Sequence, residues 1–457
     1  MEIFEKQKKA FAAHSAPTFA ARMADLGKLY AGIKAHQDEI VEAISADFGH
    51  RSAFETRMAE TSFILVDIKH TQKHLKSWMR RKRRKVALHF MPASNYVDYV
   101  PKGVVGILSP WNYPFQLSMA PLVAAIAAGN RVMIKPSEYT PKCNAVIKDI
   151  LAEIFDEKQV AMVEGGADVA AEFSALAFDH LFFTGSGRVG KYVLQAAAKN
   201  LTPVTLELGG QSPAIVGADY SIKKAAKRIM VGKLLNAGQT CIAPDHVLVP
   251  QNKISEMVQA LLIEGRKLYP SIMGNDEYSA IINDAQLERL CQLRDNAVRD
   301  GAVAHKLYNA DDEGGKMMPV ILDHVSPLMG VMREEIFGPI LPVVGYESLD
   351  KVIEFVKGDD QPLAAYYFSH DRVELSRLSA EILCGNVTIN DTLFHVAQND
   401  LPFGGIGASG MGNYHGYDGF KTFSHAKGVF KQARINGAGM LNPPYSKLAR
   451  RVIEWLG

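Results

Sequence analysis

Apolar side chains recur at helical spacing through FAARMADLGKLYAGI and the long run FETRMAETSFILVDIKHTQKHLKSWM, which predicts helices from residue 1 to about 80. From about residue 100 the pattern changes to short β-branched and aromatic runs separated by helical stretches: VVGIL, RVMIK, VAMVEG, HLFFTG, VTLELGG and PAIVG. Buried strands alternating with helices predict a parallel sheet with right-handed crossovers, so the fold class is α/β. A nucleotide site is then expected beyond the carboxyl ends of the strands. A second α/β stretch runs from about 210 to 395, with the helix KISEMVQALLIEGRKLY and the strands LPVVGY and LAAYYFS. The boundary near 209 rests on motif content, because no repeat or low-complexity linker marks it. The basic run Arg80 to Lys85 reads as a solvated link leaving a helix, and no catalytic cluster stands out before it.

Length and charge narrow the function. At about 150 residues per domain, 457 residues make two or three domains with room for a cleft between them. Lys and Arg number 51 against 49 Asp and Glu, a balance that argues against nucleic acid as a partner. Four cysteines with no CxxC pair provide neither a disulfide framework nor a zinc site, so reduced thiols and no metal are expected. The N-terminal stretch has no apolar signal core, and the longest apolar run, Met119 to Ala128, falls short of the roughly 20 residues a membrane helix needs. The segment from Gly437 to Gly457 carries charges and prolines, which argues against an anchor. The expectation is a soluble cytoplasmic protein that does not engage a membrane.

Three local patterns carry chemistry. Gly185-Ser186-Gly187-Arg188-Val189-Gly190 follows the strand LFF and opens a helix, so its amides can hold a phosphate. Read as an ordinary dinucleotide turn, it makes Glu207, close to 20 positions on, a ribose ligand. The strand RVMIK, however, ends in Lys135-Pro136-Ser137-Glu138, and an acid at the end of the second strand is where a dinucleotide fold expects its 2′-hydroxyl acceptor. Cys241 follows the small-residue run Asn236-Ala237-Gly238-Gln239-Thr240, which lets backbone approach a ligand, whereas Cys143, Cys291 and Cys384 read as small buried hydrophobes.

SPWNYPF, KPSE, FTGS, ELGG, GQTC, EEIFGP and LPFGGIGASGMG occur in that order across residues 109 to 412, and together they resemble the aldehyde dehydrogenase superfamily. HVAQNDLPFGG and GMGNYHGYDGF resemble its class 3 branch and, within it, coniferyl aldehyde dehydrogenases. The resemblance implies a Rossmann-like NAD(P)-binding domain (1–85 and 101–208), a catalytic domain (209–395), a β oligomerisation arm (86–100 and 420–433) and a tail (434–457). It also implies a homodimer.

The same resemblance makes Cys241 the nucleophile, Glu207 the general base and Asn112 the oxyanion donor, helped by the Cys241 main-chain N–H. Lys135 and Glu138 take the adenine ribose, while Gly185, Ser186 and Gly190 line the pyrophosphate. Glu335 takes the nicotinamide ribose beside Phe337, and Pro110 and Trp111 complete the cofactor wall. Glu334 is read as a solvated neighbour. Trp111, Tyr113, Phe115, Phe394 and His395 are candidate tunnel lining for an aromatic or medium- to long-chain aldehyde. Glu138 favours NAD, with NADP possible. Gln211 and Gly187 depart from the family's usual Lys and Thr. A cofactor-independent cysteine acyl hydrolase using Cys241, Glu207 and Asn112 is the alternative reading.

Overall fold

A computed structural model describes residues 2–358 and 360–456. Helices Glu2–Ala13, Phe19–Ala35, Gln37–Asp47 and Ser62–Trp78 occupy the N-terminal region where the helical spacing placed them. The first packs onto the first sheet, where the Gln7 amide donates to the carbonyls of Val132 at 3.0 Å and Glu157 at 2.9 Å, and the others pack on the helices that cover it.

That sheet has six strands in the order Gly410–Met411, Val204–Glu207, His180–Thr184, Val104–Leu108, Arg131–Lys135 and Val160–Met162. All pairings are parallel except that of Gly410–Met411. The chain enters at Val104–Leu108, builds outward in one direction to Val160–Met162, then returns to build in the other. The direction reverses between Val104–Leu108 and His180–Thr184, and a doubly wound sheet opens a crevice at the carboxyl ends of such a pair. The helix Gln116–Ala128 follows the first strand and is buried along its whole length, as its nearly unbroken apolar sequence requires. It ends at Gly129, whose φ of 91° suits glycine and whose missing Cβ leaves room for the Arg22 guanidinium.

The second sheet has seven strands, in the order Val303–Lys306, Val320–Asp323, Ile340–Tyr346, His246–Pro250, Pro213–Val216, Ala364–Phe368 and Asn386–Ile389, parallel except for the first. After it the chain goes back to the first sheet: Met411 pairs with Leu206, and helix Gly416–Thr422 packs through Gly419 on Ala124.

The third sheet is antiparallel and joins Lys82–Arg84, Ser94–Pro101 and Ser424–Lys431. Two expectations change here. The basic run is not merely a solvated link, because Lys82–Arg84 pairs with Asn95–Val97 as an edge strand. Its lysine and arginines keep that edge soluble while blunting further strand addition. The arm expected from residue 420 begins as strand only at Ser424, since the residues before it finish a helix.

Candidate active site

Beyond the end of Val104–Leu108 the chain turns through Ser109-Pro110-Trp111-Asn112 into the buried helix. The Asn112 side-chain amide donates to the Gln239 carbonyl at 3.1 Å, leaving its second N–H free. The Asn112 carbonyl accepts from the Arg51 guanidinium at 3.1 Å and from the Asn236 amide at 3.0 Å. Tyr113 shares a 2.7 Å hydrogen bond with Thr240, next to Cys241.

Cys241 sits on a loop that follows helix Ile222–Leu234 and turns through three left-handed residues, Asn236, Ala237 and Gly238, with φ of 52°, 53° and 78°. Positive φ is costly at Asn and more so at Ala, so the surrounding structure must hold it. Glu55 accepts from the Asn236 N–H at 3.0 Å, from Ser279 at 3.1 Å and from the Tyr269 hydroxyl at 3.1 Å. At Gly238 a Cβ would strike the Gly338 carbonyl. Burial, with the Glu335 and Glu207 carboxylates behind it, pushes the Cys241 thiol well up, while the N–H groups of Cys241 and Ile242 work in the opposite direction.

Glu207 ends strand Val204–Glu207 at 2% exposure, and neither carboxylate oxygen has a hydrogen-bond partner. Burial alone raises it well above the ordinary carboxylate value. Its carbonyl accepts from the Gly185 N–H at 3.0 Å, which ties the end of this strand to the glycine turn.

A cavity of about 860 Å³ runs from Cys241, Glu207 and Asn112 past Pro110, Trp111, Glu335 and Phe337 to Gly185, Ser186, Lys135 and Glu138. Its chemistry fits a nicotinamide dinucleotide. Ser186 caps helix Gly187–Ala198 through a 3.4 Å bond from the Val189 N–H, and Ser186, Arg188 and Val189 bring the N-terminus of that helix, a favourable place for an anion, to the cavity wall. Lys135, almost fully buried, donates to Glu138 at 3.2 Å, so the acid is oriented yet half-open to a ribose. Glu335 accepts from the Gly210 N–H and lies against Gly209, where a Cβ would strike the carboxylate. Burial and the neighbouring Asp245 push Glu335 up to about 8. Phe337, at a φ of 53°, sets its ring edge-on to Trp111 at 5.4 Å.

Gly190 is not among the residues that border the cavity. A Cβ there would lie 2.8 Å from the Leu208 side chain, so this glycine serves the packing of its helix on the strand end. Phe115 is fully buried in the core rather than in a tunnel wall. Phe394 is exposed beneath the Arg228 guanidinium, and His395 is buried with its ring stacked 5.9 Å from Phe403. Cys143 is buried, and all four cysteines are unpaired.

The sequence reading passed over Arg51, Glu55 and Glu60, which support Asn112 and the Cys241 loop from below. A signal was present: Ser52-x-x-Glu55 spells a capping box, and Ser52 does cap this turn through the Glu55 N–H at 3.3 Å. Among the described residues, no cluster of three or more His, Cys, Asp or Glu side chains is arranged to hold a metal, and no helix is long and apolar enough to cross a membrane.

The aldehyde dehydrogenase family model matches residues 1–429. A probable coniferyl aldehyde dehydrogenase of Pseudomonas aeruginosa is 49% identical over 99% of this chain and 94% of its own. The substrate-bound state of Staphylococcus aureus AldH superposes with a TM-score of 0.94 at 39% identity, covering 100% of this chain and 99% of that one. The NAD+ complex of a Bacillus cereus aldehyde dehydrogenase gives a TM-score of 0.85 at 26% identity, over 94% of this chain and 88% of that one. These relatives lend no support to the acyl hydrolase alternative. With the sheet crevice, the cysteine loop and the cavity that joins them already in place, they establish that the chain belongs to the aldehyde dehydrogenase family, enzymes that oxidise aldehydes to carboxylic acids with a nicotinamide cofactor.

Proposed function

We propose that this enzyme oxidises aromatic aldehydes of the coniferyl type, or medium- to long-chain aliphatic ones, with Cys241 as nucleophile, Glu207 as base and NAD as the preferred cofactor. The observation that carries the assignment is the Glu207 carboxylate, buried without any partner on the cavity that also holds Cys241. Buried carboxylates are expensive to leave unsatisfied, and one facing a thiol across a cavity is poised for water or for a proton.

The steps follow from the residues. The Cys241 thiol gives its proton to water in the cavity, and sulfur adds to the aldehyde carbon. The carbonyl electron pair moves to oxygen, where the free Asn112 N–H and the Cys241 N–H meet the developing charge. A nicotinamide held beside Glu335 and Phe337 would supply the hydride acceptor as the oxyanion collapses, leaving a thioester on Cys241. Glu207 then takes a proton from water, hydroxide adds to the thioester, the C–S bond breaks and the acid departs. Burial makes Glu207 a stronger base than a free carboxylate, as this step needs.

Lys135, Glu138, Ser186, Gly185, Glu335 and Phe337 hold the cofactor in this reading, with Pro110 and Trp111 as wall. Glu138 accepts from a free ribose hydroxyl and repels a phosphate in its place, which favours NAD over NADP. The three-stranded antiparallel sheet, with Phe430 and Leu88 exposed near it, supports a homodimer, and the unpaired cysteines support a cytoplasmic location. A panel of short aliphatic, long aliphatic, benzoic and cinnamic aldehydes with each cofactor tests the substrate assignment. The highest kcat/KM is expected for a cinnamic or long aliphatic aldehyde with NAD, and acetaldehyde turned over best, or NADP preferred, would sink it.

A further inference from the structure

One buried ion pair reaches the reaction chamber without entering it. Arg51 and Glu60 are bonded at 2.6 Å with both side chains fully excluded from solvent. The free Glu60 oxygen accepts the N–H groups of Phe115 at 2.9 Å and Gln116 at 2.8 Å, where the buried helix begins. The same Arg51 nitrogen donates to the Asn112 carbonyl. The turn from Asn112 to Gln116 is therefore gripped at both ends by a single pair. The remaining guanidinium nitrogens have no oxygen partner, but the group lies 5.0 Å from the Phe48 ring and 4.7 Å from the Tyr113 ring. Through its hydroxyl, Tyr113 holds Thr240, so the grip extends to the residue preceding Cys241.

A buried ion pair is weak evidence for stability, because apolar residues of the same volume often serve the fold as well. It does fix geometry. The Asn112 amide spends one N–H on the Gln239 carbonyl and has one left, whose direction depends on the peptide that Arg51 holds. We propose that Arg51 and Glu60 are positioning residues of the oxyanion hole, acting through the Asn112 main chain to aim its free N–H at the substrate oxygen on which charge develops as Cys241 attacks. This rests on the reading of Asn112 as oxyanion donor.

The test separates oxyanion stabilisation from thiol reactivity in the cofactor-free enzyme. With 4-nitrophenyl acetate, sulfur forms a bond to the carbonyl carbon and nitrophenolate leaves with the electron pair of the broken C–O bond, through an oxyanion. Alkylation of Cys241 by iodoacetamide displaces iodide and forms no oxyanion. In the charge-balanced variant Arg51→Met/Glu60→Gln, the acylation burst should slow about tenfold, less than the loss of a whole donor. Alkylation of Cys241, located by mass spectrometry, should stay within about twofold of wild type, and in an Asn112→Ala background the same pair of changes should slow acylation no further. If the double variant is insoluble, Arg51→Lys carries the same comparison, since an ammonium keeps the charge opposite Glu60 but loses the fork. Equal losses in both reactions, an undiminished loss without the Asn112 amide, or no loss at all would each overturn the proposal. Unimpaired acylation in Asn112→Ala alone would instead remove the oxyanion reading on which it rests.

Discussion

The buried carboxylates around the Asn112 turn are treated in two opposite ways. Glu60 takes an arginine and two amides, and Glu55 takes an amide and two hydroxyls, so each is bonded on both oxygens. Glu207 is as deeply buried and has no partner. Satisfying a buried charge makes it part of the frame, whereas leaving one bare costs stability that folding alone does not repay. The bare group is where the reaction supplies the missing partner: a water, a proton or the substrate. Burial identifies neither group by itself, and the difference in bonding separates frame from chemistry.

Variants can break this comparison, beginning with the largest effect. Cys241→Ser should lower aldehyde oxidation on the order of 10³-fold or more, because an alcohol supplies almost no anion near neutral pH, while Tm and cofactor binding stay close to wild type. Appreciable residual turnover would mean that another nucleophile carries the reaction. Glu60→Ala should act chiefly on stability. It leaves Arg51 buried and unpaired, and chemical denaturation should report a loss of about 3–5 kcal/mol. A loss below about 1 kcal/mol would place Glu60 among dispensable groups.

Glu207→Gln should lower kcat roughly 10²-fold and yet raise stability at pH 8. The sign follows from linkage. Burial raises this carboxyl above its ordinary value near 4.5, so the folded chain holds the proton more tightly than the unfolded chain. Its contribution is full below that ordinary value and declines as pH rises toward the folded one. The Gln variant lacks the decline, so its advantage in Tm should be present at pH 8 and absent near pH 4. A variant less stable at pH 8 would show that Glu207 has a partner and belongs to the frame. The smallest effect is expected at Glu138→Gln, where the NADP/NAD ratio of kcat/KM should rise several-fold because a repulsive charge at the ribose is gone. An unchanged ratio would withdraw the ribose assignment.

Much of the two large sheets was legible because strands such as Val104–Leu108, Arg131–Lys135, His180–Thr184 and Ala364–Phe368 are apolar runs with periodic helices between them. Each such signal lies within one short stretch of sequence. The chemistry-bearing motifs were legible for the same reason, since ELGG, GQTC and SPWNYPF each declare themselves locally. What stayed hidden depends on distant partners. Lys82–Arg84 becomes a strand only through Asn95–Val97, and a basic run offers no apolar face to announce it. Gly410–Met411 adds a two-residue strand beside Glu207 that no periodicity could signal. The packing role of Gly190 against the Leu208 side chain is likewise invisible in the GSGRVG spelling. Arg51, Glu55 and Glu60 carry no local sign of their role, because their partners at Asn112, Phe115, Asn236 and Tyr269 lie from 55 to more than 200 positions away.

The central claim is that Glu207 serves the thioester on Cys241 rather than the ribose of the cofactor. Rapid mixing of Glu207→Gln with NAD and a cinnamic aldehyde, followed by mass spectrometry of the quenched protein, tests it directly. A burst of NADH equal to the active-site concentration should precede very slow turnover, with the acyl group found on the Cys241 peptide. A variant that turns over normally at saturating NAD, carries no acyl group and differs only in a weakened affinity for the cofactor would contradict the account.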